Sequence, residues 1–230
     1  MNNLFNRLKD TNGSEKKRFL LRFLIYMFGI GILSFGVVLN TKTGLGVSAT
    51  MSVPYVISTI WHLNLGNVTT TVFIIYVFIQ LVLARKELGW VVLLQVPFSW
   101  LFGRYTNLFN TYVNFSNDLL YQQMFLLFCA IVLTSLGVVL TVTMNFVPNA
   151  ADGLIQAVSI RFKKPFGFSK NILDVLSVVI ASAIGYVFFG EIIAVGLGTL
   201  VSALFIGRCI TWINHLFRDQ LLQLVVRNKA

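Results

Sequence analysis

Of the 230 residues, 57% are apolar and only 11% charged, too few ionic groups to clothe a water-soluble domain, so a globular soluble class is excluded and the bilayer becomes the main solvent. The formal net charge of +10 argues against nucleic acid as a partner, because the Lys and Arg residues stand at the ends of apolar runs instead of forming a stripe or a recognised binding motif. The two cysteines, Cys129 and Cys209, both lie inside apolar runs and form neither a disulfide framework nor a metal-binding spacing.

In chain order, residues 1–18 form a basic cytoplasmic segment with Arg7, Lys9, Lys16, Lys17 and Arg18. The apolar run that follows, about 20 residues long, suits an uncleaved first span better than a shorter, cleavable signal region. Spans are expected at 20–40, 67–84, 88–108, 120–142, 168–188 and 191–214. Short pieces lie at 45–61 and 147–160. The polar stretch Asn107 to Asp118, with Asn110, Asn114, Ser116 and Asn117, forms the hinge. The chain thus divides into a first membrane repeat at 19–109, a connecting loop at 110–119, a second membrane repeat at 120–217 and a cytoplasmic tail at 218–230.

The two repeats are read from self-similarity. A shift of 101 residues superposes Ser34 to Ile79 on the second half without a gap: Ser34 falls on Ser135, Gly36 on Gly137, Val37, Val38 and Leu39 on Val138, Val139 and Leu140, Ala49 on Ala150, Ser58 on Ser159 and Gly66 on Gly167. Gly103 and Arg104 match Gly207 and Arg208 after a slip of three.

The short pieces carry the functional signal. Residues 47–61 would reach only about 22 Å as a helix, contain Pro54 and are rich in Ser and Thr; their counterpart contains Asp152. Polar or broken backbone at membrane depth is tolerated where protein or a water-filled cavity surrounds it. Paired broken segments at matching positions of two halves point to a transporter's central site. The expected fold is therefore an all-α polytopic membrane protein with two homologous halves, six transmembrane helices and two short re-entrant or broken helices. The alternative is eight full crossings. With both termini inside, six crossings leave two basic residues outside, Lys42 and Arg104, and eight leave three, Lys42, Arg85 and Lys86; either path keeps the basic-inside pattern of a multi-pass protein of the bacterial cytoplasmic membrane, and the length and polarity of the short pieces favour six.

With these segments placed, the chain resembles the YczE/YyaS/YitT-type bacterial membrane proteins. Leu45-Gly46-Val47-Ser48 matches the start of their Leu-Gly-Val-Ser-Pro-Trp-Asp-like stretch, with Ala49, Thr50 and Met51 in place of the last three. The repeat copy, Pro148 to Gly153, keeps the acid as Asp152, aligned with Met51. Gly196-Leu197-Gly198-Thr199 followed by Phe205-Ile206-Gly207 matches a second stretch, with Arg208 where Pro is expected. The resemblance implies architecture and no substrate.

Among single residues, Asp152 leads, because an ionisable group within a membrane segment is costly and is a functional candidate by default. Its structural alternative is a capping box with Asn149 as N-cap. Asp174, four residues after Lys170, suits an ion pair or an ion- or proton-coupling role. Ser48, Thr50, Gly46, Asn145 and Asn149 flank the short pieces with hydroxyl, amide and flexible backbone groups able to hold a small polar solute. Gly198, Ser202 and Gly207 form a small-residue pattern for helix packing or dimerisation. Trp61, Trp90, Trp100, Trp212, His62 and His215 are interfacial.

No phosphate-cradling loop, His-Glu-x-x-His or Gly-x-Ser-x-Gly sequence occurs, so no enzyme activity, metal or cofactor is expected. The expected function is a secondary transporter or exporter of a small polar or amphipathic solute, bound midway between the halves where the two short segments meet. The alternative is a non-transporting module that assists or regulates a membrane partner protein. Apart from lipid, a homodimer or such a partner completes the expected associations.

Overall fold

The computed structural model describes residues 13–114 and 119–225, with side chains over 16–114 and 119–217. Arg7 and Lys9 of the basic segment, Ser116, Asn117 and Asp118 of the hinge, and residues 226–230 of the tail lie outside this range. The regular structure within it is helical: α1 Gly13–Thr41, α2 Ala49–Ile60, α3 Leu65–Leu88, α4 Gln95–Tyr112, α5 Leu120–Met144, α6 Ala150–Phe162, α7 Phe166–Phe189 and α8 Leu197–Val225, with a 3-10 segment at Trp90–Leu94 leading into α4. Five of the eight, α1, α3, α5, α7 and α8, are long and apolar enough to cross a bilayer. Large apolar side chains such as Phe28, Phe78, Val82, Phe125 and Val187 lie on the outer surface, where lipid tails match them. The chain is an all-α, multi-pass membrane protein.

Small residues set how closely the spans approach. A Cβ on Gly36 would run into Leu133 and Thr134, and one on Gly137 into Leu33, so α1 and α5 pack backbone to backbone and antiparallel. Gly66 meets Gly103 in the same way, and Thr70 donates to Ser99 O at 3.4 Å, making α3 and α4 an antiparallel pair. Tyr26 faces Phe98 and Phe35 faces Phe109, so α4 runs parallel to α1. At the other end of the molecule, Arg22 near the start of α1 donates to Met144 O at the end of α5.

These contacts give the path of the chain. It runs one way in α1, the opposite way in α3, the first way in α4, the opposite way in α5, the first way in α7, whose end brings Phe188 to Trp61, and the opposite way in α8, which starts beside Leu45 with a Gly198 N–H to Leu45 O bond of 2.7 Å. Helix α2 therefore lies at the end of the bundle where α1 ends and α3 starts, while α6 lies at the opposite end, which bears the start of α1. With 12 and 13 residues, the two reach only about 18–20 Å. Each lodges chiefly against a long helix of the opposite half, α2 on α7 and α6 on α3.

Three expected boundaries move. Residues 107–112 of the polar hinge stretch, 110–112 of them expected in the connecting loop, belong to α4, because the Asn107 side chain accepts from Gly66 N–H at 2.8 Å and donates to Asn67 Oδ1 at 3.0 Å, giving the polar stretch partners within the bundle. The last span starts at Leu197 instead of 191, since 190–196 form a loop that meets residues 45–47 through Val47 N–H to Ala194 O at 3.0 Å. The 218–230 tail begins as a continuation of α8, helical to Val225.

Candidate functional site

Helices α2 and α6 each touch both α3 and α7, so the four form a ring drawn from both halves. Within this ring, three charged side chains of α6 and α7 stand near one another. Lys170 Nζ and Asp174 Oδ2 are 2.7 Å apart, one turn from each other on α7, with side-chain exposures of 37% and 16%. Asp152, half-buried on the first turn of α6, lies within electrostatic reach of both. From α3, Tyr76 faces the part of α7 that carries Asp174 and Ser177. Two carboxylates and one ammonium leave a net charge of −1 when all are ionised. One proton or one monovalent cation neutralises the set, and a cation next to a carboxylate offsets the cost of burying it.

The capping alternative for Asp152 is answered by its neighbour. Asn149 Oδ1 accepts from Ala151 N–H at 3.2 Å, while Asp152 makes no reciprocal bond to the Asn149 N–H. The carboxylate still sits favourably near the positive end of the helix dipole.

A second polar system holds α6 in place. Gln80 of α3 and Gln95 of α4, both buried, exchange amide hydrogen bonds of 3.0 and 2.9 Å, and Gln80 Nε2 also donates to Ala150 O at 3.0 Å. Gly153 lies directly against both amides. Beside them is a cavity of about 30 Å³ whose lining includes Tyr26, Gln95, Ser99, Thr141 and Asn149. This is room for about one or two waters. Neither glutamine was among the expected site residues; the available signal was a lone amide within each of two apolar runs.

The remaining candidates are dispersed. Asn145 ends α5 in the left-handed conformation, φ 52, and is exposed. Gly46, φ +98, abuts Gly196 of the loop into α8 and Thr199 of the first turn of α8. Ser48 is the N-cap of α2 without a side-chain capping bond, and Thr50 follows it, half-buried. The N-terminal ends of α2 and α6 thus serve opposite faces, and Ser48, Thr50 and Gly46 do not join Asn149 and Asp152 in one site. Their separation follows from the antiparallel relation of α1 and α5, whose ends release the two short helices on opposite sides. Gly198 packs on Leu45 and Gly46, and buried Ser202 accepts from Asn40 Nδ2 at 2.9 Å. Gly207 is exposed and has no atom of the described residues within 4 Å of where its Cβ would stand, so of the three small residues it alone takes no part in packing among the described residues.

Among the described residues, no three His, Cys, Asp or Glu side chains gather as a metal site. Residues 20–215 match the model of a family of unknown function, DUF6198. The chain belongs to that family. For this DUF6198 protein the match takes in every long helix and both short ones. The likeness to the YczE/YyaS/YitT-type proteins stands beside this membership as a resemblance of short motifs. No curated protein and no solved structure matches the chain.

Proposed function

We propose that this DUF6198 protein is a secondary transporter of a small polar or amphipathic solute, with Asp152 binding the coupling proton or cation or a cationic group of the solute. The observation that carries this reading is the partly buried set of Asp152, Lys170, Asp174 and Tyr76, which is drawn from helices of both halves. A mere interfacial ion pair would need only Lys170 and Asp174 and would leave Asp152 without a purpose at its cost. The halves are homologous and inverted in this reading. Supporting it, Gly36 on Thr134 mirrors Gly137 on Leu33, and Ser34 to Phe102 O mirrors Ser135 to Ile206 O. The face bearing the start of α1 is cytoplasmic, as the basic residues require.

Reconstituted vesicles with a solute panel and an imposed pH or sodium gradient test the proposal. Wild type is expected to exceed empty vesicles for one solute class, and Asp152→Asn to lose at least about tenfold in rate, equivalent to about 1.4 kcal/mol. Equal rates for wild type and Asp152→Asn above background would remove the role of Asp152, and wild-type rates at background across the panel would remove transport. The second reading, a module serving a membrane partner, is favoured by the exposed faces of α7 and α8. It predicts co-purification with a partner that Gly207→Leu abolishes and Asp152→Asn leaves intact.

A further inference from the structure

In the first half, α3 and α4 are closed upon each other: Gly66 and Gly103 meet backbone to backbone, and three polar ties surround them, Thr70 to Ser99 O, Asn107 to Gly66 N–H and Asn67, and Gln80 to Gln95. The corresponding helices of the second half, α7 and α8, have no such seam. Their apolar windows are each 11% buried, against 39% for α3. The glycines are kept at the matching places, Gly167 and Gly207, yet neither has anything within 4 Å of a Cβ.

The polar ties are not kept. Thr70 corresponds to Asn171, Asn67 to Phe168 and Gln80 to Ala181; with the slip of three, Gln95 corresponds to Thr199, Ser99 to Ala203 and Asn107 to Thr211. Side chains that would hold the seam shut are thus replaced, and the residues that let two backbones meet remain.

We infer that α7 closes on α8 across Gly167 and Gly207 in a second state of this protein, while α3 and α4 stay joined as a fixed frame. This rests on the reading of two homologous halves. Because α7 carries Lys170, Asp174 and Ser177, its closure moves these groups relative to Asp152 and Tyr76 and changes the surroundings of the acid set. The 30 Å³ cavity beside Gln95 and Asn149 admits water only, so a solute could occupy that place only in a second arrangement.

Disulfide trapping tests this in lipid vesicles, with Cys129 and Cys209 replaced by Ala. The pair Thr70→Cys and Ser99→Cys marks the fixed seam, and Asn171→Cys with Ala203→Cys marks its counterpart. Under mild oxidation the first pair is expected to cross-link at once and almost completely. The second is expected to cross-link within one chain, at least about tenfold more slowly, as a transient closure allows. Absence of the 171–203 bond, or its formation only between two chains, overturns the inference; the second result would make the open face a dimer contact. Failure of the 70–99 pair would overturn the fixed α3–α4 seam, and with it the inference. Cross-linking is read without a transport assay, so failure of the transport proposal and failure of closure are separate results.

Discussion

Gly153 illustrates how one absent methyl group positions a charged neighbour. A Cβ there would stand 2.5 Å from Gln80 Oε1 and 2.6 Å from Gln95 Nε2, so Gly153→Ala must spread the amide pair or shift α6. The expected cost is about 1–3 kcal/mol, read as a lower melting temperature in detergent. Gln80→Ala removes the partner of both Gln95 and Ala150 O and is expected to cost about 1–3 kcal/mol. The double change Gln80→Ala with Gln95→Ala is expected to cost less than the sum of the two single ones, because the second removes a group the first has already orphaned. Additive losses would show that the pair does not act as a unit. Asp152 was legible from the sequence because a lone acid in a membrane segment is conspicuous. The glutamine pair was not, since its members lie 15 residues apart and meet only when the hairpin of α3 and α4 folds.

At the scale of helices, the two glycine seams make opposite predictions. Gly66→Leu forces a side chain into Gly103 and Asn107 and is expected to destabilise by at least about 1–3 kcal/mol. Gly207→Leu meets open space in the described state and is expected to leave the melting temperature within about 2 °C, a surface-like effect. If α7 closes on α8, the same Gly207→Leu protein loses transport despite its stability. A variant that melts early would locate Gly207 in a packed contact and defeat this separation. Helix existence and length were legible from apolar runs, and the short pieces from their length, Pro54 and Asp152. The outward placement of Gly207 was not, because a small-residue spacing identifies a face without naming what packs on it. The joining of 107–112 to α4 was hidden for a similar reason: a run of asparagines reads as loop until a partner such as Gly66 N–H is present.

For the whole molecule, the proposed six-crossing path with a basic cytoplasmic face determines which loops each compartment would see. Asn64→Cys, just before α3, is expected to react with an impermeant maleimide on intact cells, and Lys86→Cys, near the end of α3, only after permeabilisation. Reversed labelling would require eight crossings and would sink the inverted arrangement. The charge tally alone left this choice open, because it scores both paths nearly alike; the antiparallel contact of α1 with α5 distinguishes them.

The lodging of α2 on α7 and of α6 on α3 also bears on how such a chain can be divided. Severed within the 113–119 connection, each fragment would retain a stub built for a groove on the other, and its own groove would stand empty. Produced alone, either fragment is expected to be degraded; produced together, the two should rescue one another, as interlocking parts do.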